Sequence, residues 1–402
     1  MDEYEYRRVA DEEDCRQKAR AKGYNQLGSY GNTYNFCMVS WVNGKVEDKG
    51  TKAVVASWAA RVTIVVHTYV GFQGAQVTAA RGYSAAKSRD IKARIVVDQV
   101  NCVGLPENCN PRVYLNLNSG GQCTSDHSQG EMKALRSWNN TRTDITVKSD
   151  PIPGSGGPAK TTQCAFWPIV QSPDSDDKAN KVMTVTPQYF RCDSSTRIMY
   201  YNSGCVLWNP RPVWVLDGND STVEKTAEHI NTALTNPQAT QPLTPGKTKV
   251  FPGSYKAPTS NPMCTTDQPF ECLTRTTDKT VKTGLIDLNR DAARAACRVV
   301  NGGKRWRKPN SCDEYPFAST YQGVSKAGIN YSVSLHDIDD NCTAGRRLGG
   351  FYAYNRVLDR DAFWVWAVKK GEAVPPGLEE DARQVPIPLP PCDDQPDEEP
   401  TL

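Results

Sequence analysis

Several features are missing from this chain of 402 residues, and each absence argues against a class of protein. Its apolar runs all fall short of the roughly 18 residues that a membrane-spanning helix needs, so the sequence predicts no membrane span. Because no Cys-x-x-Cys spacing occurs, the sequence does not predict a structural zinc site. No segment repeats with a fixed period, and residues 1–4 lack the basic stretch and apolar core of a secretory signal.

Cysteine, by contrast, is plentiful: the chain holds 14, an even number. An intracellular protein of this size rarely keeps so many thiols without metal-ligand spacing, because disulfides form and persist in oxidising compartments. We therefore expect a disulfide-bonded, secreted, extracellular protein. We also expect that a secretory signal has been cut away from the chain, with export by another route as the alternative.

Charge is distributed unevenly along the chain, whose formal net charge is only +3. Residues 371–402 contain nine acidic residues and one arginine, so this tail carries −8 and residues 1–370 carry +11. Such a basic body favours a polyanionic partner, because each phosphate contact releases condensed counterions. A solvated basic face without a partner is the alternative.

The distribution of residue types predicts an α+β protein with four parts. Residues 1–216 consist mainly of short β-branched segments separated by Gly, Pro, Asn and Ser, which predicts an antiparallel β-sandwich whose loops are stapled by disulfides. Residues 217–262 hold a helix candidate at 221–234 and are otherwise rich in Pro and Thr, which predicts a linker. Residues 263–370 form a small compact unit, and residues 371–402 form an acidic, proline-rich tail.

Three of the four histidines have no partner at a spacing typical of a metal-ligand pair. His67 lies in an apolar strand candidate, His127 in a polar loop and His229 in the helix candidate. The sequence therefore predicts a structural role for each of them.

Two adjacent carboxylates, Asp313 and Glu314, are the main candidates for chemistry in the compact unit. Neighbouring side chains of a strand point to opposite faces, so both enter one site only where the strand ends or bulges. Pro316 makes such an ending plausible. One carboxylate would then bind a hard cation such as Mg²⁺ or Mn²⁺ while the other takes a proton from water, which is the minimum equipment for hydrolysing a phosphodiester. A solvated acidic turn is the alternative.

The same region resembles a known protein family. The run CDEYPFAS at 312–319 is preceded by Asn289-Arg290, and it is followed by Asp340-Asn341, Ala344-Gly345, Phe351-Tyr352 and Asn355-Arg356. In this order the blocks resemble the NucA/NucB family of secreted bacterial deoxyribonucleases, especially its longer actinobacterial members. The resemblance covers about 90 residues, under a quarter of the chain.

The resemblance implies metal-dependent, largely sequence-nonspecific endonucleolytic cleavage of DNA, and a small fold similar to the ββα-metal nucleases. Residues 312–320 and 330–336 would form the hairpin, and residues 346–358 the helix. Glu314 would take the position of the general base. Asn355 would be the metal ligand on the helix, with Asn341 as the competing ligand.

Charged residues receive further roles from the resemblance. Asp313 would be either a metal ligand or the ion-pair partner of Arg290, and both roles are open. Arg290 and Arg356 would neutralise phosphate charge, since planar guanidinium groups match phosphate oxygens. Arg307 and Lys308, in a basic loop, would bind DNA phosphates.

Two details qualify and extend this resemblance. Compact family members have Asp where this chain has Asn289, so that position offers no carboxylate. A bridge between Cys297 and Cys312 would close a loop of 14 residues around the basic run and hold Asp313 through its neighbour, stabilising the fold by roughly 3 kcal/mol. A bridged Cys342 would make the loop beside Asn341 rigid.

The sequence therefore predicts a secreted, metal-dependent endonuclease that hydrolyses DNA, with RNA as a second candidate substrate. One alternative is an extracellular carbohydrate- or surface-binding β-sandwich protein with an inactive nuclease-like unit, whose binding platform would consist of Tyr200, Tyr201, Trp208 and Trp214. Another is an antibacterial nuclease toxin, which would require an inhibitor protein. We also expect Cys392 to tie the tail to the body, and deletion of residues 371–402 to raise activity at low salt if the tail covers the basic face.

Overall fold

A computed structural model of the chain describes residues 11–21, 28–30, 32–68, 70–72, 89–149, 159–173, 181–184, 187–195, 198, 201–255, 271–376 and 378–382. The predictions for Tyr200, for the side chain of Tyr201, for Cys392 and for the tail from residue 383 onward lie outside the described residues. Within those ranges, none of the helices has the length and apolar character needed to cross a membrane. The chain divides into two compact units, residues 2–210 and residues 211–402.

The described part of the first unit is almost entirely β-structure. It contains helix α1 (Glu12–Ala21), a 3-10 turn (Leu135–Trp138) and the strands β1 (Ser29–Tyr30), β2 (Asn35–Glu47), β3 (Val54–Thr68), β4 (Val70–Phe72), β5 (Asp90–Gly104), β6 (Arg112–Gly121), β7 (Thr124–Ser125), β8 (Glu131–Ala134), β9 (Thr141–Lys148), β10 (Thr162–Gln171), β11 (Lys181–Thr184), β12 (Gln188–Asp193) and β13 (Tyr201–Leu207). One antiparallel sheet has the order β1-β2-β3-β5-β9-β7; the other has the order β4-β13-β12-β10-β6-β8, with β11 beside β10.

Both sheets of the first unit contribute to one hydrophobic core. Phe36 of β2 meets Phe166 of β10 edge to face across this core, with ring centroids 5.9 Å apart. On the outer face of the first sheet, α1 packs near Val65 and is joined to β2 by the disulfide Cys15–Cys37. Three further disulfides lie in this unit: Cys102–Cys109, Cys123–Cys164 and Cys192–Cys205. The predicted disulfide-bonded, antiparallel β-rich character is therefore confirmed for the described residues.

The second unit is a mixture of helices and short strands, which confirms the α+β class. In its described part it contains β14 (Val213–Asp217), α2 (Glu224–Thr235), a 3-10 turn (Pro237–Ala239), β15 (Leu273–Thr274), α3 (Leu285–Val300), β16 (Asn310–Tyr315), β17 (Ser332–Asp337), α4 (Ile338–Tyr354), β18 (Ala362–Val368) and α5 (Glu379–Ala382). A three-stranded sheet has the order β14-β18-β15, and β16 and β17 form an antiparallel hairpin.

The second unit includes β14 and α2, which the sequence analysis placed in the β-rich region and in a linker. β14 lies parallel to β18, with Val213 opposite Trp364. Ala227 and Ile230 of α2 are fully buried in a core that also contains Trp214. Since Trp214 is only 3% exposed and meets Phe317 edge to face at 5.1 Å, it is a core residue of this unit.

Helix α4 begins eight residues before the predicted start at 346 and ends at Tyr354, four residues before the predicted end. Its start is fixed by Asp337, whose side chain accepts a hydrogen bond from the Asp339 amide at 2.8 Å. Asp339 and Asp340 follow in the first turn, where negative charge is favourable to the helix dipole. The acidic segment before residue 346 is therefore the first turns of the helix and not a loop.

Candidate active site

The two faces of the β16–β17 hairpin differ: one is polar apart from Tyr315, and the other combines Glu314 with apolar residues. Its register is unbroken and places Asp313 opposite Ser334 and Glu314 opposite Val333. Ser311, Asp313 and His336 therefore share the polar face with the serines at 332 and 334, which α2 and α4 contact. The opposite face carries Cys312, Val333 and Leu335, which pack with α3. Because the strand has no bulge, Asp313 and Glu314 point to opposite faces.

Asp313 is almost fully buried, at 6% exposure, and its main partner is a histidine from α2. Its Oδ2 lies 2.5 Å from Nδ1 of His229 and 3.9 Å from Nε2 of His336. Oδ1 makes no hydrogen bond within the described part of the chain. The described residues also contain no ion pair between Asp313 and Arg290, so the partner of the carboxylate is His229.

The second ring nitrogen of His229 makes a further hydrogen bond, so that three side chains form a chain of contacts. Nε2 lies 2.7 Å from Oγ of Ser332, which gives the order Asp313–His229–Ser332. That order is shared with serine hydrolases, in which the hydroxyl attacks the substrate. Ser332, however, is only 1% exposed and opposes Tyr315 in the hairpin, so its hydroxyl cannot meet a substrate. The array instead fixes the ring of His229, and through it the carboxylate of Asp313.

Asp340 of α4 caps the N-terminus of α2. Its Oδ1 accepts from the amide of Thr226 at 2.9 Å and from the Thr226 hydroxyl at 2.7 Å, and its Oδ2 accepts from the amide of Lys225 at 2.8 Å. The residue at the N-cap position, Val223, makes no side-chain cap. The carboxylate therefore satisfies amides that the helix cannot satisfy itself.

His336 is linked to the same cap. Its Nε2 lies 3.0 Å from the hydroxyl of Thr226, and because that hydroxyl donates to Asp340, Nε2 must donate to Thr226. Burial lowers the pKa of His336, and the charge of Asp313 only partly opposes this shift. His336 is therefore neutral at physiological pH.

A second contact holds the segment before α2 against α4. Arg347 donates to Asp220 at 2.7 Å and to the hydroxyl of Thr222 at 2.8 Å. Partial burial raises the pKa of Asp220, but hydrogen bonds from Thr222 and Arg347 outweigh this effect and lower the pKa to about 2. Helix α2 is thus anchored to α4 by two acidic groups.

Asn341, in the first turns of α4, is oriented by the hairpin. Its Nδ2 donates to Oγ of Ser311 at 2.9 Å and to the carbonyl of Cys312 at 3.1 Å. Because a carbonyl can only accept, the amide nitrogen must face the strand and the amide oxygen must point away. That oxygen makes no hydrogen bond within the described residues.

Asn355 lies at the other end of α4, where it occupies the C-cap position. It is buried, and its Nδ2 donates to the Phe351 carbonyl at 3.4 Å. The separation of 14 positions between Asn341 and Asn355 corresponds to about 21 Å along the helix axis. The two asparagines therefore cannot bind the same ion.

Glu314 and Asn289 both hold the segment that follows β16. Glu314, which is partly exposed, accepts a hydrogen bond from the Ala318 amide at 3.1 Å. Asn289 of α3 donates to the carbonyls of Ala318 and Thr320 at 2.9 and 3.0 Å. An aspartate at 289 has no amide nitrogen and could not donate to these two carbonyls. In this chain the asparagine therefore has a structural role that aspartate could not fill.

The predicted phosphate-binding residues lie in different environments. Arg290 is exposed on α3, and Arg307 and Lys308 are exposed in the loop before β16. Arg356 is 0% exposed, directly after α4, so its side chain does not reach solvent in this structure. Only the first three are placed where a phosphate could meet them.

A disulfide ties the basic loop to the hairpin. Cys297 of α3 is bonded to Cys312 of β16, the pair expected from the sequence. The intervening residues include Arg298, Lys304, Arg305, Arg307 and Lys308, and no acidic residue. Cys342 is disulfide-bonded as well. The Cys297–Cys312 bond keeps a basic segment of net charge +5 next to the strand that carries Asp313.

No group of three or more His, Cys, Asp or Glu side chains gathers as metal ligands within the described residues. Oδ1 of Asp313 and Oδ1 of Asn341 are two oxygens of this region that make no hydrogen bond within the described residues. Carboxylate and amide oxygens suit the hard cations Mg²⁺ and Mn²⁺, which keep several waters when they bind to proteins.

The comparison with protein families identifies this region. Residues 264–366 match the family model of deoxyribonuclease NucA/NucB. The NucA/NucB segment contains α3, the hairpin, α4 and most of β18, and with them Asp313 and Asn341. It excludes α2, so His229 lies outside the match. No curated protein and no solved structure matches the chain.

The sequence analysis missed the role of α2 in this region. It predicted that His229 is a satisfied structural histidine, and both ring nitrogens are indeed hydrogen-bonded. The partner, however, is the aspartate of the NucA/NucB motif, 84 residues further along the chain. No local spacing signals such a contact, because it depends on tertiary packing.

Proposed function

We propose that the second unit is a metal-dependent endonuclease that hydrolyses DNA phosphodiester bonds with little sequence preference. The match of residues 264–366 to the NucA/NucB family is the observation that carries this proposal. The hairpin followed directly by α4 is consistent with a ββα-metal-like arrangement, and the disulfides support export to an oxidising compartment.

We place the reacting centre on the polar face of the hairpin. Oδ1 of Asp313 and Oδ1 of Asn341 would hold Mg²⁺ or Mn²⁺, which when bound supplies positive charge for the leaving oxygen of the phosphodiester. His229 holds the other oxygen of Asp313, and Ser311 together with the Cys312 carbonyl holds the amide of Asn341. The protein thus orients both oxygens before substrate binds.

This assignment differs from the one made from the sequence, in which Glu314 is the general base. Glu314 lies on the opposite face from Asp313, so one site does not use both unless the strand rearranges. Its hydrogen bond to the Ala318 amide gives Glu314 a structural task in the turn after β16. Asn355, about 21 Å from Asn341, is likewise left out of the proposed ion site.

DNA would be bound chiefly through its backbone. Arg290 and the loop that contains Arg307 and Lys308 supply exposed positive charge beside the hairpin. Backbone contacts of this kind are insensitive to base sequence and weaken steeply with salt. The same contacts would admit RNA, so both nucleic acids belong in the test.

A plasmid-nicking assay with Mg²⁺, Mn²⁺ or EDTA tests the proposal, with single-stranded RNA as a parallel substrate. We expect the full chain to nick DNA with either metal and to stop in EDTA. Asp313→Asn should abolish nicking, whereas Glu314→Gln should retain it. Nicking that persists in EDTA, or that is lost in Glu314→Gln but kept in Asp313→Asn, would refute the proposed site.

A further inference from the structure

The contact between His229 and Asp313 joins a residue outside the NucA/NucB match to one inside it. Both groups are buried, and Nδ1 of the histidine lies 2.5 Å from Oδ2 of the carboxylate. This distance is at the short end for a hydrogen bond between a ring nitrogen and a carboxyl oxygen. Asp313 therefore depends on a helix that the family match does not include.

Helix α2 is a fixed part of the second unit. Asp340 caps its N-terminus through Lys225 and Thr226, and Asn231 in its third turn donates to the Ala367 carbonyl of β18 at 2.7 Å. Ala227, Ile230 and Ala233 on its apolar side are fully buried in the core of the unit. A side chain on such a helix can hold a partner in one orientation.

A carboxylate needs such a partner because rotation about its last torsion is only loosely restricted. The hydrogen bond to His229 removes this freedom at Oδ2, and the bond between Nε2 of His229 and the hydroxyl of Ser332 fixes the ring itself. Oδ1 is then the oxygen left for a ligand. Partners of this kind are known to tune metal sites, since their loss typically lowers metal affinity by about 10- to 100-fold.

We infer that His229 is a positioning residue of the proposed nuclease: its Nδ1 holds Oδ2 of Asp313 so that Oδ1 is presented to the divalent cation. This inference rests on the proposed function. It also extends the functional nuclease upstream of residue 264, to include α2. His229 itself touches neither the substrate nor the ion in this role.

Two amide substitutions separate positioning from simple structural support. His229→Asn places an amide nitrogen near the position of Nδ1 and so keeps the donor to Asp313. His229→Gln places its amide near Nε2 and so keeps the partner of Ser332 but loses the donor to Asp313. His67 in the first unit, a buried histidine 2.6 Å from Asn35, offers a matched control as His67→Gln.

The measurement is the affinity of the full chain for Mn²⁺ by electron paramagnetic resonance, without DNA, followed by plasmid nicking. We expect His229→Gln to weaken Mn²⁺ binding by about 10- to 100-fold, with His229→Asn and His67→Gln close to the wild type. Circular dichroism checks that each variant is folded.

The outcomes are distinguishable. If the wild type neither binds Mn²⁺ nor nicks DNA, the proposed function fails and the inference fails with it. If the wild type does both, the inference alone is overturned by a Gln variant that binds Mn²⁺ like the wild type, or by folded Asn and Gln variants that are equally weak.

Discussion

Removal of the carboxylate that caps α2 should destabilise the second unit strongly. Asp340→Ala deletes three hydrogen bonds at once, from the amides of Lys225 and Thr226 and from the Thr226 hydroxyl. Loss of an N-cap costs about 0.5–2 kcal/mol, and a buried hydroxyl left without an acceptor costs about 1–3 kcal/mol. We therefore expect the free energy of unfolding to fall by about 2–4 kcal/mol.

Urea denaturation followed by far-ultraviolet circular dichroism measures this loss. Asp339→Ala is the matched control, because Asp339 is exposed and lies in the same turn, and its removal should change the free energy of unfolding by at most about 0.5 kcal/mol. A double-mutant cycle with Thr226→Val should show that the two substitutions are not additive, since they remove a shared bond. A loss below about 0.5 kcal/mol, or full additivity, would refute the role assigned to the cap.

Three further predictions concern charge and covalent links in the second unit. Because the folded pKa of Asp220 is about 2, below its unfolded value near 4, its stabilisation is fully present above pH 4 and is lost as the pH falls through 2. Asp220 is about a third exposed, so after allowance for solvent screening Asp220→Asn should cost about 1 kcal/mol at pH 7 and much less at pH 2 in urea denaturation; equal costs at both pH values would contradict this. Replacing Arg307 and Lys308 with Ala should make the plot of the logarithm of DNA affinity against the logarithm of salt concentration less steep, by roughly 0.9 in slope per lost phosphate contact. Fluorescence anisotropy measures the affinity, and an unchanged slope would exclude both residues from the interface. Replacing Cys297 and Cys312 with Ser should lower the free energy of unfolding by roughly 3 kcal/mol, and a loss near zero would show that the bridge does not constrain the unfolded chain.

The parts of the second unit that depend on local sequence were predictable. β18 is a run of apolar and aromatic residues of the kind that forms a buried strand, and the two hairpin strands, at 310–315 and 332–337, overlap the segments 312–320 and 330–336 that the family resemblance implies. Strand geometry also explains why Asp313 and Glu314 separate, since side chains change face at every residue. The predicted start of α4 at residue 346 is wrong because the prediction assigns the acidic residues after His336 to a loop. Acidic residues are favourable in a first helical turn, and the helix begins at Ile338.

The contacts that shape the candidate site could not be predicted. His229 meets Asp313 across 84 residues of sequence, and Asp340 meets Thr226 across 114. Neither pair has a characteristic spacing, because each depends on how three helices pack around one hairpin. The Pro and Thr content of residues 217–262 likewise predicts a linker. The few apolar positions of α2, which lies in this segment, are nevertheless enough to bury one side of the helix.

The parallel pairing of β14 with β18 bears on the order of events during folding. β14 and β18 are separated by about 150 residues of sequence. β14 can therefore pair with β18 only after the ribosome has synthesised β18. The N-terminus of helix α2, which follows β14, can likewise be capped only after Asp340 has been synthesised. A chain that folds as it is synthesised would therefore complete the surroundings of Asp313 late, after nearly the whole unit exists.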